Sequence, residues 1–350
     1  MSKNFIAAAF AAGCLLASGA AAQTNLTAET AGAAGVPGTV VQHLGEVAAG
    51  AGVANIQVQT GQTLTNSIQN VAEGKTDIAA APQVLPFLLS VGRGPYSSLG
   101  AEKGAELAGN LRYLYTYAFG YHMLYAYDSV GMNGWADMAG RTIYNGPPRG
   151  AALVQARAFA QLLGAGKDGE DYTGVQVNWA QDLKTITDGS AQAVLLPSTF
   201  PDRRITASLA AGNMTVWSMP KDAYEGEAMQ KYLTTPGNAP LRVPMSEVDF
   251  GDGVTVMTED DIFRTGATAG GEVVNASMSF ETAKALTAAF IEGIPALKAK
   301  APWAGQVGIG VTSVPESGMC GLNPIPYHPG AVAAWEEAGY TIPDCAKPKG

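Results

Sequence analysis

The stretch that decides the fold is "NIQVQTGQTLTNSIQNVAEGKTDIAAAPQVLPFLLSVG", residues 55 to 92. "NIQVQT" reads as a strand, and Gly61 and Gln62 turn it into the helix-like "TLTNSIQNVAEG". "DIAAAP" is a second strand and leads into a second helix, "QVLPFLLSVG". The same alternation precedes it, where "NLTAETA" passes through a Gly-rich turn into "VVQHLGEVAAGAG". Repeated strand–helix alternation predicts a parallel sheet covered by helices.

Residues 111 to 127, "LRYLYTYAFGYHMLYAY", behave differently. Leu111, the tyrosines at 113, 115 and 117, Phe119, Tyr121, Met123, Tyr125 and Tyr127 fall on every second position. Period two means strand. A single strand of this length exceeds the usual range of about three to ten residues. A turn near Gly120 and two shorter strands are therefore expected, with the aromatic row in the core and Tyr121 able to reach a cleft.

A second alternating block follows. It runs through "RTIYNG", a helix from Ala151, "VQVNWA", "QDLKTITDG", "AQAVLLPS", "DRRITASLAAG", "MTVWSMP" and a helix over 222–233. Residues 234–270, rich in Asp and Glu, read as irregular. A strand, "EVVNASMSF", and an amphipathic helix, "ETAKALTAAFIEGIPALKA", close the pattern. The expectation is two α/β lobes with two crossings: residues 23–122 and 271–350 in one, 123–270 in the other. Their strand ends would face a shared cleft, where ligands bind in open α/β sheets.

The chain has 350 residues, 47% of them apolar and 15% charged, which suits two packed lobes. Its formal charge of −9 offers no basic stripe for nucleic acid. A small anion remains possible, because surface charge is screened within about 8 Å at physiological salt. The opening "MSKNFIAAAFAAGCLLASGAAAQ" has a basic start, an apolar run and an Ala-x-Ala end, the pattern of a secretory signal over residues 1–22. Cys14 would suggest a lipoprotein, but the apolar "LLASGAAA" after it fits a signal core better. Export leaves Cys320 and Cys345, which in an oxidising compartment most simply form one disulfide; two free buried thiols are the alternative. His43, His122 and His328 are scattered, so no metal or other cofactor is expected.

Enzyme signatures are mostly missing: no Gly-x-Ser-x-Gly elbow, no His-Glu-x-x-His, no Walker loop and no Cys-x-x-Cys. Residues 31–38, "AGAAGVPG", are Gly-rich without the dinucleotide fingerprint. What remains are polar residues at strand ends and helix starts. Thr63 and Asn66 open one helix, Gln83 follows "DIAAAP", and Ser198 and Thr199 follow "AVLLP". "GPPRGAALV" places Arg149 and Gly150 where a strand turns into a helix. Unpaired N–H groups at that helix start, beside a guanidinium, read as an anion site.

These residues resemble a known family, the TAXI-type solute receptors of TRAP transporters. "TGQTLTNSIQNVAEGKTDIAAAPQ" is similar to the family's Gly-x-Ser-x-x-Asn helix start, its Gly-x-x-Asp-Leu strand and the following Gln. "GYHMLYAYDSVGMNGWADMAGRTIYNGPPRG" resembles its His strand, its Ser…Asp-Leu-x-Gly-Lys segment and its Gly-Pro turn. "LNPIPYHPGAVAAWEEAGY" resembles its His-Pro-Gly-Ala tail. The likeness covers nearly the whole mature chain.

The resemblance implies a two-lobed periplasmic binding fold, each lobe a mostly parallel sheet flanked by helices. It also implies a receptor, monomeric and without catalysis, that hands a small solute to TRAP membrane permease subunits. Amino acids and organic acids are the family's common solutes. Matching positions carry over Thr63, Asn66, Gln83 and Tyr121 as ligand contacts, while His328 holds the tail. Two departures stand out. The family's "GGVYY" is "AGVPG" here, and its Gly-Ser-Gly-Thr after the Gly-Pro turn is Arg149, Gly150, Ala151 and Ala152. The second exchanges a hydroxyl-rich loop for one cation, which suits a carboxylate held by two parallel hydrogen bonds. An ABC importer as partner, or a secreted enzyme on the same scaffold, are the rival readings.

Overall fold

The computed structural model describes residues 23–313 and 317–349. The leader expected over 1–22, with Cys14, lies outside them. The chain begins β1 (Thr24–Glu29), α1 (Val36–Gly50), β2 (Ala54–Gln59), α2 (Leu64–Ala72), β3 (Ile78–Pro82), α3 (Val84–Ser90) and α4 (Gly100–Gly109). It continues with β4 (Leu111–Tyr127), β5 (Thr142–Tyr144), α5 (Ala151–Leu162), β6 (Thr173–Val175), α6 (Asp182–Thr187), β7 (Ala193–Ser198) and α7 (Arg203–Ser208). Then come β8 (Met214–Trp217), α8 (Lys221–Glu225), α9 (Glu227–Leu233), β9 (Asn238–Pro244), β10 (Val254–Met257) and β11 (Ile262–Asn275). Two helices, α10 (Phe280–Lys300) and α11 (Pro329–Glu337), finish it.

The α/β architecture expected from the alternation is what forms. One continuous sheet has the order β2-β1-β3-β11-β4-β7-β5-β6. Its two flanks are parallel, β2-β1-β3 and β7-β5-β6. Its centre is antiparallel, because β11 and β4 run against each other and against their outer neighbours. Helices cover the flanks. Strand β3 is buried at every residue, as a strand sandwiched between helix layers must be, and its alanines let those layers approach.

The aromatic segment does not turn at Gly120. Strand β4 runs unbroken from Leu111 to Tyr127, about 55 Å of extended chain. The strand stays continuous by changing partners, with register shifts against β11 at Ala118–Tyr121 and at Tyr113–Tyr115. On one edge β11 pairs with it up to Tyr121, and β8 takes over from Leu124. On the other edge β7 pairs with Tyr121 to Tyr125, while the carbonyls of Val307 and Pro326 accept from Ala118 and Tyr113. Gly120 serves close approach instead: a Cβ there would lie 3.0 Å from the backbone N and O of Ser198. The aromatic row is core, with Tyr113, Tyr115, Tyr117 and Tyr125 all buried. Period two separates the faces: Tyr121, Met123 and Tyr125 join one apolar cluster, Leu124 and Ala126 the other.

The acidic region over 234–270 is also more regular than expected. It holds β9, β10 and the first part of β11, which starts at Ile262. Burial along β9 alternates: Pro240, Arg242 and Pro244 face outward, while Asn238 at its start is buried and accepts from Gln155. The helix expected over 222–233 is two helices, parted at the extended Gly226. Cys320 and Cys345 form a disulfide, their Cα atoms 5.4 Å apart. No helix among the described residues is long and apolar enough to cross a membrane.

Candidate functional site

The carboxyl ends of β1, β3 and β7 open onto one cleft of about 840 Å³, its mouth included. From the N-terminal flank come Ala31, Gly32, Gly35, Val36, Leu64 and Pro82; from the opposite flank, Pro147, Gly150, Ala151, Ala152, Trp179 and Asp182. Pro197, Ser198, Thr199, Asp202, Arg203 and Arg204 form the floor below β7, and Phe119, Thr268 and Trp303 close it from the central strands and the tail.

Three of the helices that begin at this cleft have no side-chain cap. Gly35 precedes α1, Thr63 precedes α2 and Gly150 precedes α5, each without a side-chain acceptor for the first N–H groups. A fourth helix at the cleft, α7, is capped by Asp202; away from it Ser279 caps α10 and His328 caps α11. Helices α3, α4, α6, α8 and α9 also start without a side-chain cap. An uncapped helix start leaves N–H donors open and carries roughly half a positive charge. Three of them at one cavity make it a basin for an anion.

The buried cation of the cleft is Arg204. Its Nε and Nη2 donate to the Asp202 carboxylate at 3.2 and 3.0 Å, and Nη2 also reaches Ser198 Oγ at 3.3 Å and the Pro197 carbonyl. Burial works to raise the Asp202 carboxyl, but Arg204 and the backbone N–H groups of Arg204 and Ile205 outweigh it and hold it below the usual range. Asp182 is different. Its carboxylate accepts the N–H of Leu183 at 2.6 Å, and burial lifts it above the ordinary aspartate value despite nearby Arg204. Arg203, exposed, adds a second guanidinium at the same helix start. Phe119, Trp179 and Trp303 supply apolar surface.

Of the residues expected at the site, Gly150, Ser198 and Thr199 line the cleft. Thr63 stands at its rim, one residue before Leu64, and Asn66 is exposed on the first turn of α2. Gln83 is fully buried and faces the tail, donating to the Ser317 carbonyl at 2.9 Å. Tyr121 is buried against Phe200 and donates to the Gln306 carbonyl at 2.7 Å. Arg149 lies outside the lining, its Nη2 donating to the Pro95 carbonyl at 2.9 Å. The guanidinium at the cleft thus comes from the helix after β7, not from the Gly-Pro turn.

Sequence reasoning passed over Asp182, Asp202, Arg203, Arg204 and Thr268. One signal was present. "PDRRI" puts two arginines in the first turn of a helix, where the macrodipole disfavours cations. Cations placed against the dipole are there for a partner. Thr268 lay in the stretch read as irregular, and Trp303 follows a helix with nothing to mark it.

Among solved structures, the chain is similar to a TRAP periplasmic solute binding protein from Desulfovibrio salexigens with bound orotic acid. The two share 10% identity with a TM-score of 0.47, over 91% of this chain and 85% of that one. A similar protein from Shewanella oneidensis with bound succinate shares 10% identity over 81% and 82% of the two chains, TM-score 0.45. A protein from Bordetella bronchiseptica RB50 shares 14% over 93% of each, TM-score 0.46. No curated protein matches the sequence. The model of the NMT1-like family matches residues 28–339, from the end of β1 to just beyond α11, and the chain belongs to the NMT1-like family.

Proposed function

We propose that this protein is a periplasmic solute receptor of the TAXI type, which binds a small carboxylate-bearing molecule and delivers it to a TRAP membrane permease. The observation that carries the reading is the convergence of three uncapped helix starts, α1, α2 and α5, on one cleft. A carboxylate matches open N–H donors and partial positive charge. The apolar remainder of the ligand would lie against Phe119, Trp179 and Trp303. Residues 23–122 with 271–350 form one lobe and 123–270 the other, and the cleft lies between them. The solute contacts both lobes and stabilises the closed state by its differential affinity.

Binding suits the cleft better than reaction. The Ser198 hydroxyl is directed to the Leu196 carbonyl and that of Thr199 to the Pro201 carbonyl, and no histidine lines the cavity. Neither hydroxyl donates to a carboxylate or histidine that would activate it. The test is a thermal-shift screen of dicarboxylates, keto acids and amino acids on the exported protein, since a tight ligand raises stability by mass action. Stabilisation by carboxylates, lost with their methyl esters, is expected. Stabilisation only by uncharged sugars or cationic amines would overturn the reading.

A further inference from the structure

Arg149 is the one described residue other than Cys320 and the glycines with a left-handed backbone, φ 63°. An arginine there is unfavourable, and such conformations persist where surrounding bonds enforce them. Those bonds cross the mouth of the cleft. The Arg149 guanidinium donates to the Pro95 carbonyl at 2.9 Å. Its own carbonyl accepts from Thr65 Oγ1 at 2.7 Å, and the Thr65 carbonyl in turn accepts from Tyr96 Oη at 3.0 Å. A second contact lies along the same rim: a Cβ at Gly32 would meet the Cβ of Trp179 at 3.3 Å, and one at Gly61 would meet Ala180 at 3.8 Å. Pro95, Tyr96, Thr65, Gly32 and Gly61 come from residues 23–122; Arg149, Trp179 and Ala180 come from 123–270.

We propose that Arg149 is a latch that fastens the two lobes by bonds between them, without touching the solute. The inference rests on the lobe division given above. A receptor closed only by its ligand needs no protein-to-protein bond across its mouth. Here two side-chain hydrogen bonds join the rims, one from each side. The closed form is therefore populated without solute, and the latch sets the fraction of protein that is shut. Losing one such bond shifts an open–closed equilibrium about tenfold.

Pulsed electron spin resonance on the unliganded protein tests this, with spin labels at Glu102→Cys and Ala207→Cys, both exposed and one on each side of the cleft. The wild-type background should give a main short distance. Arg149→Gly keeps a residue at ease with the left-handed backbone while removing the guanidinium, and Thr65→Val removes the second bond with little change of shape. Each should add a longer-distance population, and the pair together should make it dominant. A wild type already at the long distance, or distance distributions unchanged in both variants, would overturn the latch. Because no solute is present, either result stands apart from the ligand screen, whose failure would count against the receptor reading alone.

Discussion

Arg204 and Asp202 form a closed unit at the floor of the cleft: the arginine uses Nε and Nη2 on the carboxylate, while the carboxylate caps the helix on which the arginine sits. Both are nearly fully buried. Removing one partner leaves the other charge buried and alone. Asp202→Ala should therefore destabilise the protein by about 3–5 kcal/mol, read from urea midpoints. A loss below about 1 kcal/mol would mean that water reaches Arg204 freely.

Arg203 carries no such structural duty. Arg203→Ala should leave the unfolding midpoint almost unchanged, since an exposed side chain contributes little to stability. Carboxylate affinity should fall by roughly 1–3 kcal/mol in titration calorimetry, the range for a charge-assisted hydrogen bond. Unchanged affinity would leave the helix starts and Arg204 as the whole of the anion site.

Two buried groups shape the response to pH. Burial pushes Glu272 from its ordinary 4.5 up to about 8, although Tyr117 donates to it at 2.7 Å; burial likewise lowers His122 from 6.5 to about 3. Below 6.5 the unfolded chain protonates His122 and the folded protein does not, so this group's contribution weakens as pH falls. Above 4.5 the unfolded chain ionises Glu272 and the folded protein does not, so that contribution weakens as pH rises. The two slopes cancel between 4.5 and 6.5. From 6.5 to 8 Glu272 acts alone and stability should drop by about 2 kcal/mol. Glu272→Gln should abolish the drop; a drop of the same size in that variant would assign it elsewhere.

The Cys320–Cys345 bond ties together the tail that faces Gln83 through Ser317. Replacing both cysteines with serine should cost about 2–4 kcal/mol through the freer unfolded chain. Calorimetry of the oxidised and double-serine proteins measures it. Equal midpoints would show that the surrounding hydrogen bonds hold the tail unaided.

Much of the fold was legible because local pattern and global structure agree. Strand, turn and helix over 55–92 form as their residues suggest. The failures share one cause. At Gly120 the sequence offers a turn residue, and the Ser198 backbone, 78 residues away, together with a φ of 136° at a register shift against β11, explains why glycine stands there in a continuous strand. Ser198, Thr199 and Gly150 line the cleft, and their positions were legible because strand ends and helix starts are local features. Arg149 was expected to face the cleft for the same reason. Its direction was settled by the Pro95 carbonyl across the mouth, a distant partner that no window of sequence contains.

The partnership of β4 with β11 has a consequence for how the chain is made. Strand β4 finds β11 only after more than a hundred further residues have been synthesised, and α1 finds α10 later still. The N-terminal flank therefore cannot be completed before α10 has emerged. Such long-range pairing folds slowly. A polypeptide of this topology leaves β4 without its β11 edge until residues 262–275 have been made, so its central sheet forms late relative to its N-terminal strands.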